Sequence, residues 1–174
     1  MSGHSKWSQI KHKKEVSDQK KGQVFSKLAK KILIAAREGS DPSSNYKLQS
    51  VIEEARSVNM PKDNIERAII RASDKNATEL YEIVIQAMGP GGIALVVEGI
   101  TDNKNRTINE IKHILSDTGF RVVPEGSLNW MFSSEKNPIS PINITDQEIH
   151  NKLNSLVEIL RDNEDVENVY TNLP

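Results

Sequence analysis

Cationic side chains dominate the first 37 residues of this chain. Ten Lys and Arg residues stand there against two acidic residues, so the stretch carries a charge of +8 (10 − 2). Residues 76–174 carry 7 basic and 15 acidic residues, or −8 (7 − 15), and the total of −1 therefore hides two ends of opposite sign. Ammonium groups gathered at one end of an otherwise acidic protein favour contact with a polyanion.

The residues predicted to bind nucleic acid all come from this stretch. Each lysine supplies a point charge for a phosphate, whereas Trp7 could either stack on a base or dock on the protein, and His12 could stack or hydrogen-bond. Such contacts give affinity without reading a base sequence. The predicted binding residues are Lys6, Trp7, Lys11, His12, Lys13, Lys14, Lys20, Lys21, Lys27, Lys30 and Arg37.

The sequence holds no recognisable catalytic or metal-binding pattern. There is no cysteine, and the four histidines (His4, His12, His113 and His150) have no partner at a metal-ligand spacing. The acidic cluster of Asp162, Glu164 and Asp165 is interpreted as a solvated turn in preference to a cation site. We therefore predict a protein that is not an enzyme and that binds no cofactor and no metal.

Membrane association is not expected either. No apolar run approaches the roughly 18 residues of a membrane span, and the basic N-terminus lacks the apolar core of a secretory signal. The sequence therefore predicts a cytoplasmic protein.

Residues 1–75 are predicted to form a basic arm and a three-helix domain. Residues 1–14 show no apolar period and are expected to be flexible, with a helix starting near Asp18. In that helix Phe25 and Ile32 face inward while the cations lie on the opposite side, as either a solvated face or a phosphate-binding face. Two further amphipathic stripes complete the three-helix bundle.

Residues 76–174 are predicted to form an α/β domain with the order β-β-α-β-α-β. The resulting fold class is α+β, with the helices on one face of the sheet. Residues 89–92 are glycine-rich and predict a hairpin turn rather than a phosphate-binding loop. The alternation of Leu128, Trp130 and Phe132 predicts the third strand. Arg106, at the start of a helix, either lies beside the capping residues or helps to hold an anion.

Several short strings, spread in order along nearly the whole chain, resemble the YebC/PmpR family. The opening Gly3-His4-Ser5-Lys6-Trp7 and the string Asn59-Met60-Pro61-Lys62-Asp63-Asn64-Ile65 are the most specific. The remaining strings are Ile10-Lys11-His12, Lys21-Gly22, Phe25-Ser26-Lys27-Leu28, Gly89-Pro90-Gly91-Gly92, Thr101-Asp102-Asn103-Lys104-Asn105-Arg106-Thr107, Gly126-Ser127 with Trp130 and Phe132, and Asp165-Val166 with Val169-Tyr170.

The resemblance implies an N-terminal helical domain followed by an α/β region. Members of the family are described as DNA-binding transcriptional regulators, others are similar to the mitochondrial translational activator of cytochrome oxidase, and the family is linked to ribosomes that stall on proline runs. Members usually carry an additional domain before the last helix. Here only the connection 134–146 stands at that place, so the inserted domain is expected to be absent.

Three functions follow as hypotheses. The first is a DNA-binding transcriptional regulator that contacts phosphates through the basic arm and first helix. The second is a ribosome-associated translation factor that uses the same basic surface on ribosomal RNA. The third is a protein-interaction module whose basic arm meets an acidic partner. In the first, the acidic second domain stays off the polyanion and is free to meet a protein partner.

Overall fold

The fold is described from a computed structural model, for the backbone of residues 3–174 and the side chains of residues 17–174. The chain divides into two compact units, the first ending at Ala77 and the second running Thr78–Pro174. Within the described part of the chain, no helix is both long enough and apolar enough to cross a membrane.

Three helices make up the first unit: α1 (Gly3–Arg37), α2 (Tyr46–Ser57) and α3 (Lys62–Ala72). The predicted start of α1 at Asp18 was wrong, because the helix already begins at Gly3, so residues 3–14 do not form the flexible arm that was expected. Lys, Gln and Glu favour helix without any apolar period. A helix nucleated by packing at its C-terminal end can therefore extend through them.

An apolar core holds the three helices together. Leu28, Ile32, Leu48 and Ile65 are all buried, so each helix contributes large side chains. Smaller side chains, Ala35, Ala36, Ala55 and Ala68, together with Met60, let the helices approach closely. These positions recur at steps of three and four residues, as the helical period requires.

The second unit is a four-stranded antiparallel sheet with two helices, and its α+β class and element order are as predicted. The strands lie in the order β3-β1-β2-β4. In chain order the elements are β1 (Tyr81–Met88), β2 (Ala94–Thr101), α4 (Lys104–Asp117), β3 (Arg121–Val123), α5 (Gln147–Asp162) and β4 (Val166–Thr171).

Both faces of this sheet are covered. Ile83, Ile85, Leu95 and Val97 point to the side that packs against the two helices. Their neighbours along the strands, including Ala94 and Val96, point to the other side. Because successive strand residues face opposite ways, the period of two assigns each residue to one of the two cores.

The third strand was predicted in the wrong place. It is β3, which pairs with the end of β1 from Gln86 to Met88, whereas residues Asn129–Met131 form a single 3-10 turn. Leu128 and Phe132 are buried against the outer face of the sheet, but Trp130 is 72% exposed. The alternation that predicted a strand therefore arises from a turn whose two ends are buried.

The buried amide of Gln86 holds this turn against the sheet. Its Oε1 accepts a hydrogen bond from the backbone N–H of Leu128 at 2.9 Å, and its Nε2 donates to Oδ1 of Asn129 at 2.8 Å. A buried amide whose two ends are hydrogen-bonded costs little folding free energy, whereas one left without partners costs about 1–3 kcal/mol. Gln86 thus fixes where the turn lies.

Asp165 is buried and links β4 to the start of α4, although the sequence suggested a solvated turn here. One carboxylate oxygen accepts hydrogen bonds from Thr107 Oγ1 at 2.6 Å, Thr101 Oγ1 at 3.1 Å and Arg106 at 2.8 Å.

Arg106 also donates a hydrogen bond to Asp102 at 2.9 Å. The hydrogen bond to Asp165, followed by that to Asp102, raises the pKa of Arg106 above its ordinary range. Its cation is therefore engaged by carboxylates of this unit, and Asn103 supplies the helix cap.

Replacing Gly99 with alanine is expected to destabilise the second unit. A Cβ at this position would lie 2.3 Å from the backbone carbonyl oxygen of Asp165, at the irregularity where β2 pairs with β4. The backbone must shift to relieve that clash, so we expect a loss of about 1–3 kcal/mol in the free energy of unfolding. Urea unfolding followed by circular dichroism measures it.

Gly22→Ala is the matched control, because nothing lies within 4 Å of a Cβ there. This exposed helical position should gain about 0.5–1 kcal/mol from alanine. A Gly99→Ala protein as stable as the parent would contradict the packing described for β2 and β4.

Candidate nucleic-acid interface

The C-terminal half of α1 has one buried side and one cationic side. Leu28 and Ile32 are buried, whereas Lys27 and Lys30 are half-buried and Arg37 is exposed. At about 100° per residue the cations fall away from the apolar stripe. This is the amphipathic arrangement that the sequence predicted for the helix.

Over residues 17–21, just upstream of this packed part, α1 is exposed on every side. All side chains from Ser17 to Lys21 are exposed, Phe25 is partly buried, and the first fully buried residue is Leu28. Lys20 and Lys21 therefore present their ammonium groups to solvent from a helical backbone. A helix with no apolar face against the protein is free to lie along another molecule.

Some cations of the first unit are engaged by carboxylates of the same unit. Lys31 Nζ lies 3.1 Å from Glu54 Oε1 of α2, and Lys47 Nζ lies 2.8 Å from Glu38 Oε1. Lys27, Lys30 and Arg37 also make interactions of their own. Of the predicted binding residues with described side chains, Lys20 and Lys21 are thus the most accessible to a phosphate.

The other predicted binding residues lie outside the described side chains. They are Lys6, Trp7, Lys11, His12, Lys13 and Lys14, all of which the backbone places on α1. The structure therefore puts the whole predicted set on one continuous helix instead of dividing it between an arm and a helix.

Asn45 joins the C-terminal end of α1 to the start of α2. Its Nδ2 donates to the carbonyl oxygens of Ala35 at 2.8 Å and Gly39 at 2.7 Å, and its Oδ1 accepts from the N–H of Leu48 at 3.0 Å. One side chain thus caps α2 and satisfies carbonyl groups at the end of α1. The sequence analysis did not single out Asn45 for this role.

Exposed apolar side chains are a feature that the sequence analysis missed. Tyr46 and Ile70 in the first unit, and Trp130 and Ile139 in the second, are all largely exposed. For Trp130 a signal was available, because Pro124, Gly126 and Ser127 directly before it are turn-forming residues. Within the described residues, no group of three or more His, Asp or Glu side chains could hold a metal ion.

Two family models match the chain. Residues 5–75 match the TACO1/YebC protein N-terminal domain, and residues 80–137 match the TACO1/YebC second and third domain. The two matches fall on either side of the boundary between the two units.

Individual relatives agree with these models. A probable transcriptional regulatory protein of Pseudothermotoga lettingae is 47% identical over 134 residues, which are 76% of this chain and 53% of the relative. One of Caldanaerobacter subterraneus is 49% identical and covers 76% of this chain and 55% of its own length. The chain thus spans about half the length of the curated relatives it matches.

A solved structure has a similar fold. The crystal structure of a conserved hypothetical protein from Aquifex aeolicus superimposes with a TM-score of 0.80 at 26% identity. The similarity covers 88% of this chain and 90% of that one.

Replacing Asn45 with alanine is expected to loosen the junction on which the orientation of α1 depends. The change removes the cap of α2 and one side-chain hydrogen bond to each of the Ala35 and Gly39 carbonyl groups. We expect a loss of about 1–2 kcal/mol in the free energy of unfolding, measured by urea denaturation. The neighbouring Ser44→Ala removes a single exposed hydrogen bond to Asp41 and should change stability by less than about 0.5 kcal/mol. Equal losses from the two changes would contradict the role given to Asn45.

Proposed function

The chain belongs to the TACO1/YebC family, and we propose that it is a regulatory protein that binds nucleic acid through α1. We propose further that its target is DNA and that it regulates transcription, in keeping with the name "probable transcriptional regulatory protein" carried by its relatives. It would act in the cytoplasm, where bacterial DNA and ribosomes are found.

The observation that carries the proposal is the charge of α1. A helix of 35 residues is about 52 Å long, and the stretch to Arg37 holds ten cations against two carboxylates. An array of this length can neutralise several phosphates of one nucleic acid and release their counterions, which is the main source of sequence-independent affinity.

The composition of this stretch favours phosphate contact over base reading. Nine of the ten cations up to Arg37 are lysines, which meet phosphates as point charges, whereas the bidentate reading of a guanine typically uses arginine. We therefore propose that α1 supplies affinity and orientation rather than base recognition, in a protein that acts by binding and not by catalysis. Residues 76–174, at −8, would be repelled by the same polyanion and remain available to a protein.

The domain organisation is part of the proposal. We assign the nucleic-acid contacts to residues 1–75 and a second role to residues 76–174, and we propose that the domain expected between the turn at Trp130 and α5 is absent. The short connection before Gln147 supports this assignment.

The test is the salt dependence of binding to a fluorescein-labelled DNA duplex, measured by fluorescence anisotropy. Several phosphate contacts should make log K fall steeply with log salt, by about 0.9 per phosphate. Lys20→Glu/Lys21→Glu should weaken binding at least about tenfold and reduce the slope by about two, because two phosphate contacts are lost. Both side chains are exposed, so circular dichroism should show an unchanged fold.

A matched control distinguishes the loss of contacts on α1 from the effect of a changed net charge. Lys75→Glu/Lys112→Glu changes the charge by the same amount at two exposed positions that are not part of α1, and it should leave the affinity within about twofold. A slope near zero, or an equal loss in the control, would refute the proposal.

Ribosomal RNA is the second candidate, and the predominance of lysine favours it as much as DNA, because phosphates are common to both. Sedimentation of cell lysate on a sucrose gradient distinguishes the two. A transcriptional regulator should remain in the upper fractions and protect a defined duplex sequence. Co-migration with ribosomal subunits at moderate salt would instead assign the protein to translation.

A further inference from the structure

The second unit contains an open cleft of about 810 Å³, which lies between the end of α4 and the length of α5 and is also lined by Pro90 and Ile93 of the hairpin. Its floor is apolar and consists of Ile93, Phe120, Leu153 and Leu156, all buried in the core. This volume falls within the range of protein sites that accept several side chains or a small ligand.

An exposed apolar side chain extends the floor toward solvent. Ile159 lies on α5, three residues after Leu156, lines the same cleft and is 50% exposed. Ile149 lines the cleft as well and is half-buried. The apolar stripe of α5 therefore extends beyond the residues that are buried in the core of the second unit.

The rim of the cleft is acidic. Asp117 at the end of α4 and Asp146 and Glu148 at the start of α5 all line it, and Lys152 is the cation among the lining residues. The ammonium group of Lys152 donates to Glu148 at 2.6 Å, and this hydrogen bond raises the pKa of the lysine. Asp146 caps α5, and Asp117 lies 3.6 Å from Nε2 of His113.

The charge of the rim selects the occupant. Three carboxylates against one lysine repel phosphate and attract ammonium and guanidinium groups, and they are part of the stretch 76–174, whose net charge is −8 (7 − 15). The apolar floor requires apolar side chains between those cations. An amphipathic helix with basic flanks, laid into a hydrophobic groove, has both properties.

We propose that this cleft is a docking site for a basic amphipathic segment of a partner protein. The apolar side chains of the segment lie on Leu153, Leu156 and Ile159, and its Lys or Arg residues meet Asp117 and Glu148. This site goes beyond nucleic-acid binding by α1, and it gives the protein a second surface of opposite charge.

The experiment uses the whole chain, freed of nucleic acid, and a fluorescein-labelled helical peptide of leucine and lysine with the leucines at helical spacing. Fluorescence anisotropy should show saturable binding, whereas any binding of a leucine and glutamate peptide of the same pattern to the cationic α1 should be unchanged by the cleft variants. Ile159→Gln should weaken binding about tenfold, because it removes an apolar wall without opening the core. Asp117→Asn/Glu148→Gln should weaken it to a similar degree.

Two control variants distinguish peptide binding in the cleft from a general attraction between opposite charges. Ile139→Gln removes an equally exposed isoleucine elsewhere in the unit, and Glu125→Gln/Glu135→Gln removes two exposed carboxylates that do not line the cleft. Both should bind the peptide as the parent does. Binding that does not saturate, or control variants that lose as much affinity as the cleft variants, would overturn the proposal.

Discussion

The second unit depends on a central strand that is apolar on both sides. Seven of the eight residues of β2 are buried, so both faces of the sheet must be kept from water. The helices α4 and α5 cover one face, and Leu128 and Phe132 cover part of the other. The chain after β3 lies on this face of the sheet and buries Leu128 and Phe132 against it.

Local patterns predicted the helices and the hairpin because the information they need lies within a few residues. The stripes of α2, α3 and α5 and the turn at 89–92 are of this kind. The turn at Leu128 is not, because the amide that fixes it belongs to Gln86, 42 residues earlier in the chain. Asp165 was misread for the same reason, since its partner Thr101 lies 64 residues away.

The candidate interface was predictable in composition but not in detail. Counting charges located the cations in the first 37 residues, whereas the pairing of Lys31 with Glu54 depends on how α1 packs against α2. Packing also decides which lysines remain accessible, and it favours Lys20 and Lys21 over those beside the core. The acidic cleft was beyond prediction, because its walls come from α4, α5 and the hairpin.

The turn after Phe132 has a consequence for how such a protein can evolve. Phe132 pairs with Pro138 as an isolated bridge, and the N–H of Ser133 bonds the carbonyl oxygen of Asn137 at 2.8 Å. The two ends of this loop are thus held side by side at the surface, outside the sheet. Additional chain can enter between such ends, or be deleted, without disturbing strand pairing. A lineage could therefore gain or discard an entire module there in a single genetic event.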